Sequence, residues 1–222
     1  QYPLGIVMPI QRRMELLRWA AEKEGRYIIE DDYDSEFRYK GKPIPALQGY
    51  DRSEKVIYIG TFSKSIAPAI RVSYLVLPKP LLKVYQEKGR FLNSTVSRVD
   101  QQIIQRFIGE GYYERHLNKM RGVYKNRHDI MIGSLKPLLK KCKMSGENAG
   151  VHLLLTFPSD ISENELIERA EKVNIKVYGL SAYDVCKEKK LNPTILLGYA
   201  NMPEEEIREG VRKLIEAWNE MI

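Results

Sequence analysis

The chain has 222 residues and a formal net charge of +7, because 36 Lys and Arg residues outnumber 29 Asp and Glu residues. Its hydrophobic content of 43% is typical of a globular protein and excludes a disordered or low-complexity chain. The two densest basic runs, residues 140–143 and 187–190, contain no aromatic residue, and no zinc-finger or RNA-recognition motif occurs. The composition therefore does not indicate that this chain binds nucleic acid.

The cysteines and the hydropathy pattern indicate the compartment. Cys142 and Cys186 are far apart and form no C-x-x-C pair, so the sequence supports neither a zinc site nor a thioredoxin motif. Two isolated thiols fit a reducing compartment, and no apolar run approaches the roughly 18 to 20 residues of a membrane helix. We predict a cytoplasmic protein without membrane contact. Because the chain opens at Gln1 with the turn-like stretch QYPLG, we expect it to be a piece of a longer protein.

The first half of the chain predicts a mostly parallel α/β sheet. An amphipathic helix is expected over residues 9–24, and short apolar strands over 27–29, 56–60 and 72–77. Continuous apolar strands between helical segments are typical of parallel sheets that are covered on both faces. Ligands of such sheets bind beyond the carboxyl ends of the strands, so polar residues at these ends are candidates for a site.

The second half predicts a compact α+β domain. Strands are expected over residues 151–157, 175–180 and 194–200. The run SENE from Ser162 is a capping box that opens a helix, and Asn201 can cap a last helix. Residues 79–140 look like a helical connector, so we divide the chain into residues 1–119 and 120–222.

The histidines do not indicate a metal site. None of the three lies in an H-E-x-x-H or comparable metal-binding pattern. His116 and His128 occur in charged helical sequence and are predicted at the surface. His152 lies in a predicted strand and is interpreted as a packing residue.

Polar side chains follow two of the predicted strands. Asp31, Asp32 and Tyr33 end the first strand, and the run GTFSKS, with Lys64 and its neighbouring hydroxyls, ends the second, followed by Arg71. Taken alone, the lysine could be a solvated side chain and the acids a strand-end turn or a helix cap. Together they form a set with a clear chemical use.

This set fits pyridoxal 5'-phosphate. A lysine amine can form an imine with a carbonyl cofactor, while hydroxyls and an arginine supply the donors that a phosphate group needs. A carboxylate beside the pyridine nitrogen keeps that nitrogen protonated, which the electron-withdrawing role of the ring requires.

Two long motifs resemble a known family. Residues 30–39, EDDYDSEFRY, and residues 60–71, GTFSKSIAPAIR, are similar to the aminotransferase-like domain of MocR-type regulators, which are GntR-class bacterial transcription factors. The opening QYPLG, the stretch NAGVH at 148–152 and GYA at 198–200 are similar to the same family. The resemblance runs along essentially the whole chain.

The resemblance implies roles for individual residues. Lys64 would be the catalytic lysine that forms the Schiff base, Asp31 would pair with the pyridine nitrogen, and Tyr33 would hydrogen-bond the ring oxygen. Tyr2 lies near the position where free aminotransferases of this fold carry an Asn that touches the ring oxygen. The phosphate would be held by Thr61, Ser63 and Arg71.

The resemblance also implies a fold and an assembly. It implies the second half of the large domain of a fold-type I pyridoxal-phosphate-dependent transferase, plus a smaller α+β C-terminal domain. Such proteins build their sites at a homodimer interface. Family members carry a winged-helix domain ahead of the aminotransferase-like domain, so DNA contact would be made only through that domain, which this sequence does not contain.

One departure concerns the effector. In the GABA-responsive member of the family, an arginine that grips the ligand carboxylate aligns with Ala182. An arginine provides a bidentate clamp for a carboxylate and alanine provides nothing. The protein would then bind a ligand that lacks this carboxylate or bind it differently, or another residue would take over.

Three functional hypotheses follow. The first is an effector-sensing, cofactor-binding domain of a transcription regulator that responds to an amino compound through exchange of the Schiff-base partner. The second is part of a free aminotransferase of the 2-aminoadipate or aromatic type, with Lys64 as proton shuttle. The third is a cofactor-free dimerisation or scaffold unit.

Overall fold

A computed structural model describes residues 2–38, 45–148, 150–185, 191–219 and 221. The chain forms two compact units. One consists of Gln1–Val7, Phe37–Lys40 and Arg121–Ile222, and the other of Met8–Glu36 and Gly41–Met120. We call them the C-terminal unit and the sheet unit. The prediction about Cys186 falls outside the described residues.

The sheet unit alternates helices and strands. Its elements, in chain order, are α1 (Ile10–Ala21), β1 (Ile28–Asp32), a 3-10 turn (Gln48–Tyr50), β2 (Val56–Thr61), α2 (Phe62–Ser65), a second 3-10 turn (Pro68–Ile70), β3 (Ser73–Val76), α3 (Lys79–Lys88) and α4 (Arg98–Gly109). The long helix α5 (Tyr112–Leu135) follows and runs past the boundary between the two units at Met120.

The three strands form one sheet in the order β1-β2-β3. β1 and β2 are parallel, as predicted, whereas β3 runs antiparallel to β2. The short return from Thr61 to Ser73 explains this direction, because a parallel return needs a crossover connection of a dozen or more residues, usually with a full helix.

The pairing register assigns the side chains to two faces of this sheet. Partners in register share a face and neighbours along a strand alternate. One face carries Ile29, Asp31, Ile57, Ile59, Thr61, Ser73 and Leu75. The other carries Ile28, Glu30, Asp32, Val56, Tyr58, Gly60, Tyr74 and Val76. The two adjacent acids of the β1 end therefore point to opposite faces.

Glu30 connects the sheet face that also carries Tyr58 to helix α1. Its carboxylate pairs with the Arg13 guanidinium at 3.2 Å and accepts from the backbone N–H groups of Leu47 (2.6 Å) and Gln48 (2.9 Å). The side chains of Arg13 and Glu30 are only 12% and 14% exposed, so this ion pair is shielded from screening by water. It holds β1, and with it the acids that follow Glu30, against the helix.

The C-terminal unit contains a second sheet, which is antiparallel throughout. Its elements are the C-terminal part of α5, a 3-10 turn (Lys136–Lys140), β4 (Lys143–Ser145), β5 (His152–Thr156), α6 (Glu163–Lys172), β6 (Tyr178–Gly179), a 3-10 turn (Leu180–Tyr183), β7 (Thr194–Gly198) and α7 (Glu204–Trp218). The strand order is β4-β5-β7-β6. An antiparallel sheet with helices packed on it is the predicted α+β architecture.

The core of this unit is built around Trp218. The indole is fully buried, lies edge-to-face on Phe157 with ring centroids 5.5 Å apart, and donates from Nε1 to the Leu166 carbonyl at 2.9 Å. The predicted cap of α6 is present, since Ser162 accepts from the Glu165 N–H. The capping box therefore predicted the start of α6 correctly.

Three local expectations differ from the structure. The strand predicted over 175–180 is reduced to Tyr178–Gly179, because the chain leaves the sheet for a 3-10 turn. The last helix has Pro203, and not the predicted Asn201, as its N-cap residue and begins at Glu204. His128 is 2% exposed and not at the surface, because its ring lies against Tyr199 and contacts the Glu147 carbonyl at 2.9 Å.

Among the described residues, no helix is long and apolar enough to cross a membrane.

Candidate cofactor site

At the carboxyl end of β1, Asp31 is exposed to solvent and Asp32 begins a turn. Asp31 is exposed on the face it shares with Thr61. Asp32 Oδ1 accepts a hydrogen bond from the Ser35 N–H at 3.2 Å, which closes a turn around Tyr33. The two residues assigned to the cofactor ring, Asp31 and Tyr33, thus flank a residue whose carboxylate shapes the turn.

The end of β2 leads directly into the lysine-bearing helix. Thr61 is the N-cap of α2, with its hydroxyl oxygen accepting from the Ser63 N–H at 3.2 Å. Lys64 lies in this one-turn helix and is exposed, while the next residue, Ser65, is 1% exposed. Hydroxyl side chains occur on both sides of Lys64 in the sequence. In the structure the Thr61 hydroxyl caps α2 and the Ser65 hydroxyl is buried.

The segment from Thr61 to Val72 is a closed loop. The Val72 carbonyl accepts from the Thr61 hydroxyl at 3.2 Å and from the Phe62 N–H at 2.9 Å. Lys64 and Arg71 therefore lie on one loop whose two ends are tied together. The backbone of Arg71 is left-handed, with φ of 47°, a conformation that residues other than glycine rarely adopt. Such strain persists only where the surroundings impose it and is concentrated at functional sites.

Tyr113 supports the loop from α5. Its hydroxyl interacts with the Ser65 and Glu36 side chains, and its pKa is raised, chiefly because burial disfavours the phenolate. Ser65 in turn reaches the Thr61 carbonyl at 3.4 Å. A neutral phenol therefore connects the lysine-bearing helix to the segment that follows β1. The motif-based reasoning missed Tyr113 because it lies 49 residues beyond the lysine, which no local pattern spans.

The donor set of the sheet unit fits pyridoxal phosphate. It combines an exposed amine, Lys64, with an exposed carboxylate, Asp31, and a guanidinium, Arg71. These groups lie on the same unit as the Thr61 hydroxyl that closes the loop. These are the partners that an aldehyde, a protonated pyridine nitrogen and a phosphate require. Within the described parts of the chain, no group of three or more His, Cys, Asp or Glu side chains could hold a metal ion.

Tyr2, the remaining predicted contact of the cofactor, belongs to the C-terminal unit. Its hydroxyl hydrogen-bonds the Tyr183 hydroxyl, and its ring lies edge-to-face on both Tyr183 (5.2 Å) and His152 (5.3 Å). His152 Nε2 contacts the Pro3 carbonyl at 2.9 Å, so this histidine fixes the opening turn as well as packing in β5.

The segment that carries Ala182 is anchored by Glu163. The Glu163 carboxylate accepts from the Ser181 hydroxyl, from the Ser181 N–H at 3.3 Å and from the Thr194 N–H at 3.0 Å. A Cβ at Gly179 would lie 2.2 Å from Glu163 Oε1, so only glycine admits the carboxylate there. Residues 179–185 contain no Lys or Arg, and Ala182 itself is exposed.

The profile of the family described as aminotransferase class I and II matches residues 1–214. The chain therefore belongs to this family. Its curated relatives include regulators: it is 44% identical to the HTH-type transcriptional regulator YdeL of Bacillus subtilis over 98% of this chain and 47% of the relative. It is 32% identical to the probable rhizopine catabolism regulatory protein MocR of Rhizobium meliloti, over 98% of this chain and 44% of that protein. The chain thus matches the MocR-type regulators and spans about half of their length.

Solved aminotransferases share the fold. The multiple substrate aminotransferase of Thermococcus profundus superposes with a TM-score of 0.86 at 31% identity, over 99% of this chain and 54% of that one. The kynurenine aminotransferase of Pyrococcus horikoshii, solved with PMP, gives 0.86 at 29% identity, over 100% of this chain and 55% of that one. These neighbours confirm the fold-type I α/β class.

Proposed function

We propose that this chain is the cofactor-binding part of an effector-sensing domain in a bacterial transcription regulator. The single observation that carries the proposal is the closed loop of residues 61–72, which holds Lys64 and Arg71 next to β1, the strand that carries Asp31 near its carboxyl end. An amine, a guanidinium and a carboxylate at neighbouring strand ends are what pyridoxal phosphate needs. The similarity to HTH-type regulators along nearly the whole chain supports the regulatory role.

In this proposal each residue has one task. Lys64 receives the cofactor aldehyde, Asp31 holds a proton at the pyridine nitrogen, and Tyr33 donates to the ring oxygen. Ser63 and Arg71 bind the phosphate, and Thr61 holds the loop that carries them. When bound, pyridoxal phosphate supplies an aldehyde that condenses with primary amines and a ring that withdraws electrons.

The proposed effector is a primary amino compound that competes with Lys64 for the aldehyde. Because Ala182 stands where a carboxylate-binding arginine aligns in a GABA-responsive relative, we propose a ligand that does not depend on a cationic clamp at this position. The uncharged surface of the 180–183 turn, with Tyr183 exposed beside Ala182, supports this choice.

The proposed protein is a cytoplasmic homodimer that reaches DNA through a separate winged-helix domain, as the name of its HTH-type relatives suggests. Helix α4 supports association, because Val99 and Ile103 are 67% and 54% exposed and lie one turn apart on the same helix face. Exposed apolar side chains in one patch are typical of an interface.

A free aminotransferase is the second candidate. The specific observation in its favour is the pair of enzyme structures that superpose with TM-scores of 0.86 at about 30% identity. In that case Lys64 would also be the general base and acid that shuttles the proton of the 1,3-prototropic transfer.

The test is an absorbance titration of the purified chain with pyridoxal phosphate. We expect the visible band of lysine-bound cofactor in the wild type and in K83A, an exposed lysine of α3, but not in K64A. Borohydride reduction followed by peptide mapping should place the label on Lys64. Absence of the band, or its persistence in K64A, would overturn the proposal.

A second measurement separates regulator from enzyme. Amino compounds should displace the band of the wild type without sustained production of 2-oxo acid. Sustained transfer of the amino group to 2-oxoglutarate would instead favour the aminotransferase.

A further inference from the structure

A tyrosine on β2 holds the turn at the end of β1. The Tyr58 hydroxyl donates to Asp32 Oδ2 at 2.9 Å, while Asp32 Oδ1 accepts from the Ser35 N–H at 3.2 Å. Tyr58 is paired with Glu30, and Asp32 lies two residues further along β1 on the same face. One carboxylate therefore connects the neighbouring strand to the turn, using a separate oxygen for each contact.

The Tyr58 hydroxyl is a permanent donor. Its pKa is raised well above the usual range, first because partial burial disfavours the phenolate and then because the hydrogen bond and negative charge of Asp32 do so as well. A neutral phenol has one proton to donate. Since Asp32 accepts it, the direction of this bond does not change across the physiological pH range.

A second tyrosine and a glycine complete the arrangement. Asp32, Gly60 and Tyr74 form one cross-strand row, and the Tyr74 ring covers the position that a Gly60 side chain would occupy. A Cβ at Gly60 would lie 2.3 Å from Tyr74 Cζ. Tyr74 also lies beside the Tyr58 ring, with centroids 6.2 Å apart, and beside Phe62, the first residue of the lysine-bearing helix, with centroids 5.3 Å apart.

We propose that Asp32 and Tyr58 are positioning residues for the cofactor ring. They act through Asp31 and Tyr33, the two neighbours of Asp32 in the chain, and this inference rests on the proposed function. Because side chains alternate along a strand, a carboxylate fixed on one face determines where the next carboxylate points on the other. The two aspartates of the EDD motif thus have different roles: Asp32 forms hydrogen bonds within the protein, and Asp31 is available to the ligand.

The reason such support matters is geometric. A charge-assisted hydrogen bond between a carboxylate and a protonated ring nitrogen has a length of about 2.7–2.9 Å, so a small displacement of the strand end weakens it. An unsupported strand end next to solvent opens locally at low free-energy cost. The Tyr58–Asp32–Ser35 chain of hydrogen bonds opposes that opening.

The experiment compares Y58F with wild type, using Y85F as a matched control. Phenylalanine keeps the ring and removes only the donor, and Tyr85 is a tyrosine of α3 that is 55% exposed. The first readout needs no cofactor: hydrogen exchange of the Ser35 amide in the chain alone. The second is the pyridoxal-phosphate dissociation constant together with the pH midpoint of its visible band.

We expect Y58F to accelerate exchange of the Ser35 amide about tenfold and to weaken cofactor binding about tenfold, because a tenfold change corresponds to about 1.4 kcal/mol, which is the size of one hydrogen bond. The pH midpoint of the band should also move, because Asp31 controls the charge on the ring. Y85F should match the wild type in all three readouts. A merely structural Tyr58 would lower the melting temperature without moving the pH midpoint.

The outcomes are distinguishable. If the wild type forms no lysine-dependent band, the proposed function fails. If the wild type forms it and Y58F keeps the exchange rate and the pH midpoint of the wild type, the positioning role is overturned. Should Y58F lose its fold by circular dichroism, D32N takes its place, because asparagine has the same size and one acceptor oxygen instead of two. D32N is expected to move the same readouts, and wild-type values in D32N would also overturn the inference.

Discussion

The Thr61 side chain and the Val72 carbonyl, 11 residues apart, are hydrogen-bonded at 3.2 Å and close the loop that presents Lys64. The same hydroxyl caps α2 by accepting from the Ser63 N–H. One threonine thus determines both the start of the lysine-bearing helix and the position where the chain re-enters the sheet at β3. The hydroxyl that was predicted to bind phosphate is already committed to the backbone of its own loop.

The first prediction concerns this hydroxyl. T61V keeps the shape of the side chain but removes a helix cap and a hydrogen bond, so we expect it to lower the free energy of unfolding by about 1–3 kcal/mol. Urea unfolding measures the loss, and hydrogen exchange should show faster opening of residues 62–72. T61S retains the hydroxyl and should remain within about 0.5 kcal/mol of the wild type. Equal stability of T61V and T61S would contradict the role of the hydroxyl.

The second prediction concerns the left-handed backbone at Arg71. R71G should preserve or raise stability, because glycine adopts a φ of 47° without the strain of about 1–2 kcal/mol that other residues bear there. The same change removes the guanidinium, so we expect pyridoxal phosphate to bind at least about tenfold more weakly.

The matched control at this position is R71K, which keeps the charge and the strain but loses the planar fork. It should have wild-type stability and intermediate affinity by equilibrium titration. If R71G binds the cofactor as tightly as the wild type, Arg71 does not contact the phosphate.

The third prediction concerns the buried thiol of Cys142. Burial raises its pKa from the ordinary value of 9.0 to about 11, and Sγ lies 3.3 Å from the Leu138 carbonyl. Because the folded pKa is the higher one, this stabilising contribution is complete below pH 9 and is lost as the pH rises to about 11. Urea midpoints measured from pH 8 upward should therefore decline more steeply for wild type than for C142A.

The same shift predicts low reactivity. In a C186S background, a thiol reagent at pH 8 should label Cys142 about a hundredfold more slowly than a free cysteine, because thiolate is the reactive form. Unfolding in urea should restore the normal rate. Fast labelling of the folded chain would show that the thiol is not held in the core as the structure describes.

The fourth prediction concerns the proposed dimer. V99K/I103K places two charges on the exposed apolar face of α4, and we expect it to weaken self-association at least about tenfold in sedimentation equilibrium. V185K, at a residue that is 93% exposed, is the matched control and should associate like the wild type.

The sheet offers a competing surface for this test. Ile29 and Leu75 are 65% and 60% exposed on one sheet face. If I29K/L75K abolishes association and V99K/I103K does not, the chain associates through the sheet rather than through α4.

Local sequence predicted much of the fold, because each element depends on neighbouring residues. Continuous apolar runs placed β2 and β5, and the SENE cap placed α6 with Ser162 at its N-cap. The antiparallel direction of β3 and the burial of His128 were not predictable in this way, since both depend on contacts with residues distant in sequence.

The candidate site also contains residues that local sequence predicted and residues that it did not. Lys64, Asp31 and Arg71 were predicted from two short motifs, whose residue types already match the cofactor chemistry. Tyr58 and Tyr113 were not, because the register that places Tyr58 on the face opposite Asp31 is a property of the paired strands. Their importance comes from the hydrogen bond of Tyr58 to Asp32 and from the interactions of Tyr113 with Ser65 and Glu36, which only the folded chain brings within reach.

The sequence by itself determined the class of protein and the reactive groups, because an amine, a carboxylate and a guanidinium retain their chemistry wherever they stand. The family resemblance already assigned Asp31 to the ligand, whereas only the tertiary structure decided that this aspartate, and not Asp32, is available to it. That decision follows from strand pairing: the register places Asp32 on the face of Tyr58, which ties it to the turn, and leaves Asp31 exposed on the other face. Pairing between strands is a long-range property, so no run of neighbouring residues contains it.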